Sequence, residues 1–294
     1  MRTYPFVTLD VFTDRRFGGN QLAVFPDARG LSDAEMQALA AEFNLSETTF
    51  VLPPEDPANT ARVRIFNRTA EMPFAGHPNV GTAFVLADRA REGRLRFEEP
   101  GGLVEIELER DAAGAVLAAI VAAPQPLTIG AALPAGPIAA CAGIPPGGIL
   151  TARHAPTLAS DGGNPRVLLE VTPEALAAAA PDHAAFRRAV ETLPALGGRL
   201  SLYLYRWDGE RLRARMFSPL SGTPEDAATG SAATPLAGFL LSLTGAEQQA
   251  LEILQGVEMG RPSLLRTTAR RTGGGIRATV GGGCVPVLRG EALL

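Results

Sequence analysis

The chain states one order of signals twice, once in each half. Arg62 to Phe66 reads R-V-R-I-F and leads to Gly76-His77, and Arg213 to Phe217 reads R-A-R-M-F and leads to Gly230-Ser231. Upstream stand Gly18-Gly19-Asn20 and Gly162-Gly163-Asn164, each followed by apolar, strand-like residues. Turn, strand, glycine and helix in the same order predict two related lobes, with helix N-termini facing one another across a cleft and the site between the halves. At 294 residues the chain suits two lobes of roughly 120 to 150 residues each. We place the lobes at 1–124 and 125–294, with the final strand free to pack back on the first. The boundary near Pro124 or Pro126 falls in a stretch dense in Ala, Gly and Pro, where strand signals are weak.

Composition removes several function classes. Hydrophobic residues make up 46% and charged residues 20%, which is ordinary for a soluble globular protein. A net charge of -4 offers no phosphate-neutralising surface, so nucleic acid is not expected as a partner. No apolar run is long enough to span a membrane and no basic-then-apolar leader opens the chain, which predicts a cytoplasmic protein with no membrane partner. Cys141 and Cys284 stand far apart without C-x-x-C spacing, and there are only three histidines, so neither a metal centre nor a disulfide framework is expected.

The local signals mix helices with hairpins, giving an α+β class. Ser32 with Glu35 forms a capping box, Met36, Leu39, Ala40 and Phe43 share a helix face, and Asn44 is the stop. Thr48 to Leu52 reads as a short buried strand, which puts Glu47 at a helix-to-strand junction. His77 to Ala90 reads as a helix with Pro78 suited to its first helical position. Leu236, Phe239, Leu240 and Leu243 mark another, with its start at Ser231 or Thr234. Asn20 and Asn164 are read as turn-stabilising residues outside the site.

A helix N-terminus exposes N–H groups with no internal partner and favours negative charge, so it makes a ready carboxylate site. Taken singly, Gly76 and Gly230 read only as helix starts. As a pair, with Ser231 beside the second, they imply a cradle for a small carboxylate-bearing substrate. Glu47, flanked by Leu45, Phe50 and Val51, reads as a partly desolvated carboxylate able to donate and accept a proton near neutral pH. His77 at a positive helix end favours the neutral imidazole, and Asp226 either orients a polar group of the substrate or caps its loop.

Four segments carry a family resemblance: Asp10-Val11-Phe12-Thr13 with Phe17-Gly18-Gly19-Asn20, Asn44 to Phe50 (N-L-S-E-T-T-F), Glu71 to Pro78 (E-M-P-F-A-G-H-P), and Glu225 to Ala232 (E-D-A-A-T-G-S-A). In this order they resemble the phenazine-biosynthesis PhzF-like isomerases over nearly the whole chain. The resemblance implies the two-lobed fold of diaminopimelate epimerase, each lobe a sheet wrapped around a central helix, with a cofactor-free site and a homodimer. It implies that Glu47 moves a proton on the substrate, assisted by His77 and Asp226. Diaminopimelate epimerase uses a cysteine at each helix start; the matching places here are read as Ala75 and Ala227, which removes a two-thiol mechanism. Asn20-Gln21 stands where Asn-Pro is usual in the family, and Ala227 where proline is often found. The expected activity is a proton shift within a small amino or hydroxy acid, possible substrates including dihydro-hydroxyanthranilate. A non-catalytic carboxylate-binding protein and an epimerase using Glu47 with Asp226 are the alternatives.

Overall fold

A computed structural model describes residues 1–162 and 165–294; Gly163 and Asn164, part of the second expected turn, lie outside the described residues. The chain divides into two compact units, one formed by Met1–Pro124 with Thr279–Leu294, the other by Gln125–Ala278.

Unit 1 is built from β1 (Thr3–Val11), β2 (Asn20–Phe25), α1 (Asp33–Phe43), β3 (Glu47–Leu52), β4 (Ala61–Phe66), β5 (Glu71–Met72), α2 (Gly76–Val85), β6 (Arg94–Glu99), β7 (Gly102–Arg110) and β8 (Val116–Ala122). β1 and β2 are antiparallel, β2 and β3 parallel, β3 and β4 antiparallel, β4 and β6 parallel, and β6, β7 and β8 antiparallel in turn. The strands curl around α2, which is buried from Gly76 to Ala83 and packs on β1, β2, β3, β7 and β8. A helix enclosed on every side has no solvent face to show, so its polar residues His77, Asn79 and Thr82 are as buried as its apolar ones. Gly81 marks the closest approach, because a Cβ there would lie 2.5 Å from Leu22 Cδ2 and 3.0 Å from Val11 Cγ2.

α1 covers the outer face of the same sheet. Its capping box forms as expected, with Ser32 Oγ accepting from Glu35 N–H and the Glu35 carboxylate accepting from Ser32 N–H. Asn44, in the left-handed region at φ 52°, stops the helix. Beneath α1, Phe25 and Phe50 stack at 4.9 Å between centroids, and Phe66 meets Phe50 edge-on. This aromatic cluster fixes β2, β3 and β4 against one another.

Unit 2 runs through β9 (Thr128–Ala132), α3 (Ala135–Cys141), β10 (Thr157–Ser160), β11 (Arg166–Glu170), α4 (Pro173–Ala178), α5 (His183–Thr192), β12 (Leu202–Asp208), β13 (Arg211–Ser218), β14 (Thr223–Asp226), α6 (Gly230–Ser242), β15 (Gln248–Gln255) and β16 (Ser263–Thr272). β17 (Gly275–Gly282) then passes into unit 1, where Thr279 to Gly282 pairs with β8, and β18 (Cys284–Leu293) pairs with β1. The pairings of β10, β11, β12, β13 and β15 repeat those of β1, β2, β3, β4 and β6 in sense and order. α6 packs on β10, β11, β15 and β16, as α2 does in its own unit.

The repeat extends to single residues. Phe66 pairs with Glu71 and Phe217 with Glu225. Arg64 grips Glu71 through Nε and Nη2, and Arg215 grips Glu225 in the same way. Each guanidinium also lies over the phenylalanine two residues on, at 5.1 Å and 4.9 Å. The R-x-F element therefore fixes the short strand that feeds each central helix. The α+β class with a sheet around a central helix holds in both units.

Several boundaries differ from the sequence expectation. α2 begins at Gly76, which puts Pro78 third in the helix, and it ends at Val85 before a single turn of 3-10 helix at Ala87–Arg89. α6 begins at Gly230 and carries Pro235 inside it. The Ala-rich stretch holds β8, β9 and α3, whose alanines gave no period to read.

Candidate active site

Glu47 is the first residue of β3 and pairs in register with Leu22 of β2. Asn44 turns the chain at the end of α1, and Ser46 Oγ donates to Asn20 Oδ1 at 3.4 Å. Asn20 is buried and opens β2, and through this bond it braces the residue before Glu47. Strand residues two apart share a face, so Glu47 and Thr49 both point toward α2. Thr49 Oγ1 lies 2.9 Å from Thr82 Oγ1, and Glu47 Oε2 lies 3.5 Å from His77 Nδ1. The Glu47 side chain is 16% exposed and that of His77 5%.

A carboxylate and an imidazole at this separation are within ion-pair range and at the outer limit of a hydrogen bond. Because His77 is in the first turn of α2, the exposed N–H groups of that turn disfavour a positive ring. Glu47 retains access to solvent while His77, Thr48 and Thr49 are buried, so the pair supplies one reachable proton acceptor and one fixed polar partner.

Asp226, Gly230 and Ser231 belong to unit 2. Asp226 ends β14, and its Oδ2 accepts from Thr229 Oγ1 at 2.5 Å. Gln255, fully buried, donates through Nε2 to the Asp226 carbonyl and to Thr229 Oγ1, and its Oε1 accepts from Thr229 N–H and the Tyr203 hydroxyl. Gly256, at φ 74°, closes the same loop, since a Cβ there would lie 2.6 Å from the Ala227 carbonyl oxygen. Asp226 is thereby tied to the loop that leads into α6. Burial and the Asp226 charge together hold the Tyr203 phenol protonated, well above its ordinary pKa.

Ser231, the counterpart of His77, accepts from Arg166 Nη2 at 3.1 Å, and Arg166 Nη1 donates to Ser201 Oγ at 3.1 Å. Registers place Ser201 where Glu47 stands in unit 1, since Thr48 pairs with Phe66 and Leu202 with Phe217. The two units therefore carry different chemistry at matching points: an acid and an imidazole in one, a buried guanidinium and two hydroxyls in the other. Arg166, Ser201 and Gln255 were not legible as site residues, because the spacings to the two R-x-F elements differ between the halves and only the strand registers bring the matching positions together.

The residue before each helix corrects one assignment. Glu71 and Glu225 both stand five residues before the helix glycine, so the counterpart of Ala75 is Thr229, and Ala227 matches Pro73. Neither helix start carries a cysteine. Cys141 ends α3 and Cys284 opens β18, and burial raises both thiols, Cys141 to about 11. Among the described residues, no group of three or more His, Cys, Asp or Glu side chains is placed to hold a metal ion.

Residues 9–290 match the model of the PhzC-PhzF family, described as phenazine biosynthesis-like protein. The chain belongs to the PhzF family. It is 39% identical over 295 residues to the trans-2,3-dihydro-3-hydroxyanthranilate isomerase of Pseudomonas fluorescens, covering 99% of this chain and all of that one. Among solved structures, the predicted epimerase PA4716 of Pseudomonas aeruginosa superposes with a TM-score of 0.80 at 33% identity over 99% of each chain. The Bacillus anthracis phenazine biosynthesis protein of the PhzF family superposes at 0.88 with 22% identity over the whole of both chains, a likeness of fold. This PhzF-family chain is an isomerase with the diaminopimelate epimerase-like fold, and no helix among its described residues is long and apolar enough to cross a membrane.

Proposed function

We propose that the protein shifts a proton between two carbons of a small carboxylic acid, with Glu47 as the group that carries it. The Glu47 carboxylate takes a proton from one carbon, becoming a carboxylic acid. The electron pair left behind forms a new double bond to the neighbouring carbon, and the π pair of the original double bond moves to its far carbon, where it takes the proton back from Glu47. The sum is redox-neutral and leaves Glu47 as it began. His77 and Asp226 position the substrate and stabilise developing charge, and the backbone at Gly76, Gly230 and Ser231 holds the carboxylate. The observation that carries the reading is the placement of a partly accessible carboxylate 3.5 Å from a buried imidazole at a helix start. The buried Arg166 guanidinium against Ser231 supports an anionic substrate group.

The substrate proposed is trans-2,3-dihydro-3-hydroxyanthranilate or a related amino or hydroxy acid, on the strength of the activity named for the Pseudomonas fluorescens relative. We place the enzyme in the cytoplasm as a homodimer, a state that light scattering reads directly. The test of the chemistry is deuterium incorporation from deuterated water into this substrate and a panel of small amino and hydroxy acids. Incorporation by the wild type that vanishes in a folded Glu47→Gln variant supports the reading; exchange that survives in Glu47→Gln removes Glu47 from the role.

A further inference from the structure

Glu99 ends β6 beneath the first turn of α2, with both carboxyl oxygens sealed from solvent and without a hydrogen-bond donor. Burial is the dominant influence on it and pushes the acid up to about 8, against a smaller opposing effect of the Asn79 side chain. Asn79 Nδ2 donates to the Ala75 carbonyl at 3.0 Å, which leaves its Oδ1 as a buried acceptor that also lacks a donor. The Asn79 side chain meets Glu99, and each group keeps a buried oxygen without a donor, so a proton on Glu99 supplies an O–H where burial makes an unmade bond costly.

Among the described residues, no cation acts on Glu99. Of the charged groups on the surrounding elements, Arg64 is held by Glu71 and Asp33, Arg62 by Glu55, and Arg96 by Glu105. Glu98, next along the strand, accepts from the backbone of Glu55 and Asp56. His77, the titratable side chain of α2, faces Glu47.

The internal repeat indicates what Glu99 does. Ala61 pairs with Phe97 as Leu212 pairs with Ile253, so Glu99 stands where Gln255 stands in unit 2. Gln255 uses its amide as both donor and acceptor to tie down the loop before α6. A protonated carboxylic acid is donor and acceptor in the same way, whereas a carboxylate only accepts. The turn after Glu99 reinforces the contact, because Gly101 N–H donates to the Pro73 carbonyl at 2.8 Å and a Cβ on Gly101 would lie 2.7 Å from that oxygen.

We propose that Glu99 is a positioning residue that works as a neutral acid, bracing the first turn of α2 so that His77 faces Glu47, and that its ionisation releases this brace in alkaline solution. The proposal rests on the Glu47–His77 pair being the reacting site. The test compares the pH profiles of kcat for the wild type, Glu99→Gln and Glu99→Leu. Glu99→Gln, which cannot ionise, is expected to keep kcat within about two-fold at pH 7 and to hold it above pH 8, where the wild type declines. Glu99→Leu is expected to lose kcat at every pH with little change in KM. Alkaline limbs that coincide in the wild type and Glu99→Gln overturn the proposal, while loss of exchange in Glu47→Gln still upholds the reacting site.

A carbon-13 titration of the wild-type glutamate carboxyls needs no variant. One carboxyl titrating near pH 8, with the His77 ring signals moving at the same midpoint, supports the brace. All carboxyls titrating in the ordinary acid range overturns it.

Discussion

Thr49 and Thr82 share a buried 2.9 Å hydrogen bond that ties β3 to α2 one step beyond the Glu47–His77 pair. Strand and helix meet at two points, and the inner one sets the geometry of the outer. Thr82→Val keeps the shape of the side chain and removes the hydroxyl. It should lower kcat by about ten-fold or more with a smaller effect on KM, because an ångström of misplacement is costly in a preorganised site. Thr82→Ser should recover most of the loss. Steady-state kinetics of the three proteins decides it, and an unchanged kcat in Thr82→Val would show that the pair is held by other means.

Arg215 and Arg64 look interchangeable in sequence but not in what they satisfy. Arg215 binds Glu225 and also donates through Nη1 to the Leu176 and Ala179 carbonyls at the end of α4. Arg64 divides itself between Glu71 and Asp33, whose side chain is 82% exposed. Arg215→Met should therefore cost about 3 to 5 kcal/mol of stability, since it strands a carboxylate and two carbonyls in the interior. Arg64→Met should cost less, because water can reach Asp33. Urea midpoints measured side by side give the order, and a larger loss at Arg64 would contradict it.

The two strongly raised acids make stability depend on pH in a definite sense. Burial lifts Glu99 from 4.5 to about 8 and Asp161 from 3.8 to about 6, so the folded state holds these protons longer than the unfolded chain. Their contribution is complete below pH 4 and is lost as pH rises through the folded values. Asp27, Asp33, Glu35 and Glu98 are lowered, chiefly by hydrogen bonds to Arg29, Arg64, Ser32 and Asn59 respectively, and their contribution is lost as pH falls through the carboxylate range. The urea midpoint should therefore peak at about pH 4 to 5 and fall toward pH 8, with a shallower fall in Glu99→Gln. A midpoint climbing steadily to pH 8 would rule this out.

What could be read beforehand follows from how local each signal is. The capping box at Ser32 and the stop at Asn44 depend on residues a few places apart, and both formed as read. The R-x-F repeat showed because its arginine, phenylalanine and glutamate lie on adjoining strands. Glu47 and His77 were singled out by local motifs, whereas their 3.5 Å approach depends on the parallel register of β2 with β3. Arg166 and Gln255 were hidden for that reason: each acts across strands distant in sequence and has no period or motif of its own. The start of α6 was ambiguous because Pro235 suggests a beginning, while the helix tolerates it as an interior residue.

The pairing of β1 with β18, from Thr3 with Leu293 to Val11 with Cys284, bears on how the molecule is made. On the ribosome, every residue of unit 2, Gln125 to Ala278, has been joined before the partner of β1 exists. One edge of β1 must wait, with its N–H and C=O groups unpaired, through the synthesis of the whole intervening domain. That waiting edge is the segment a chaperone, or another nascent chain, would meet first.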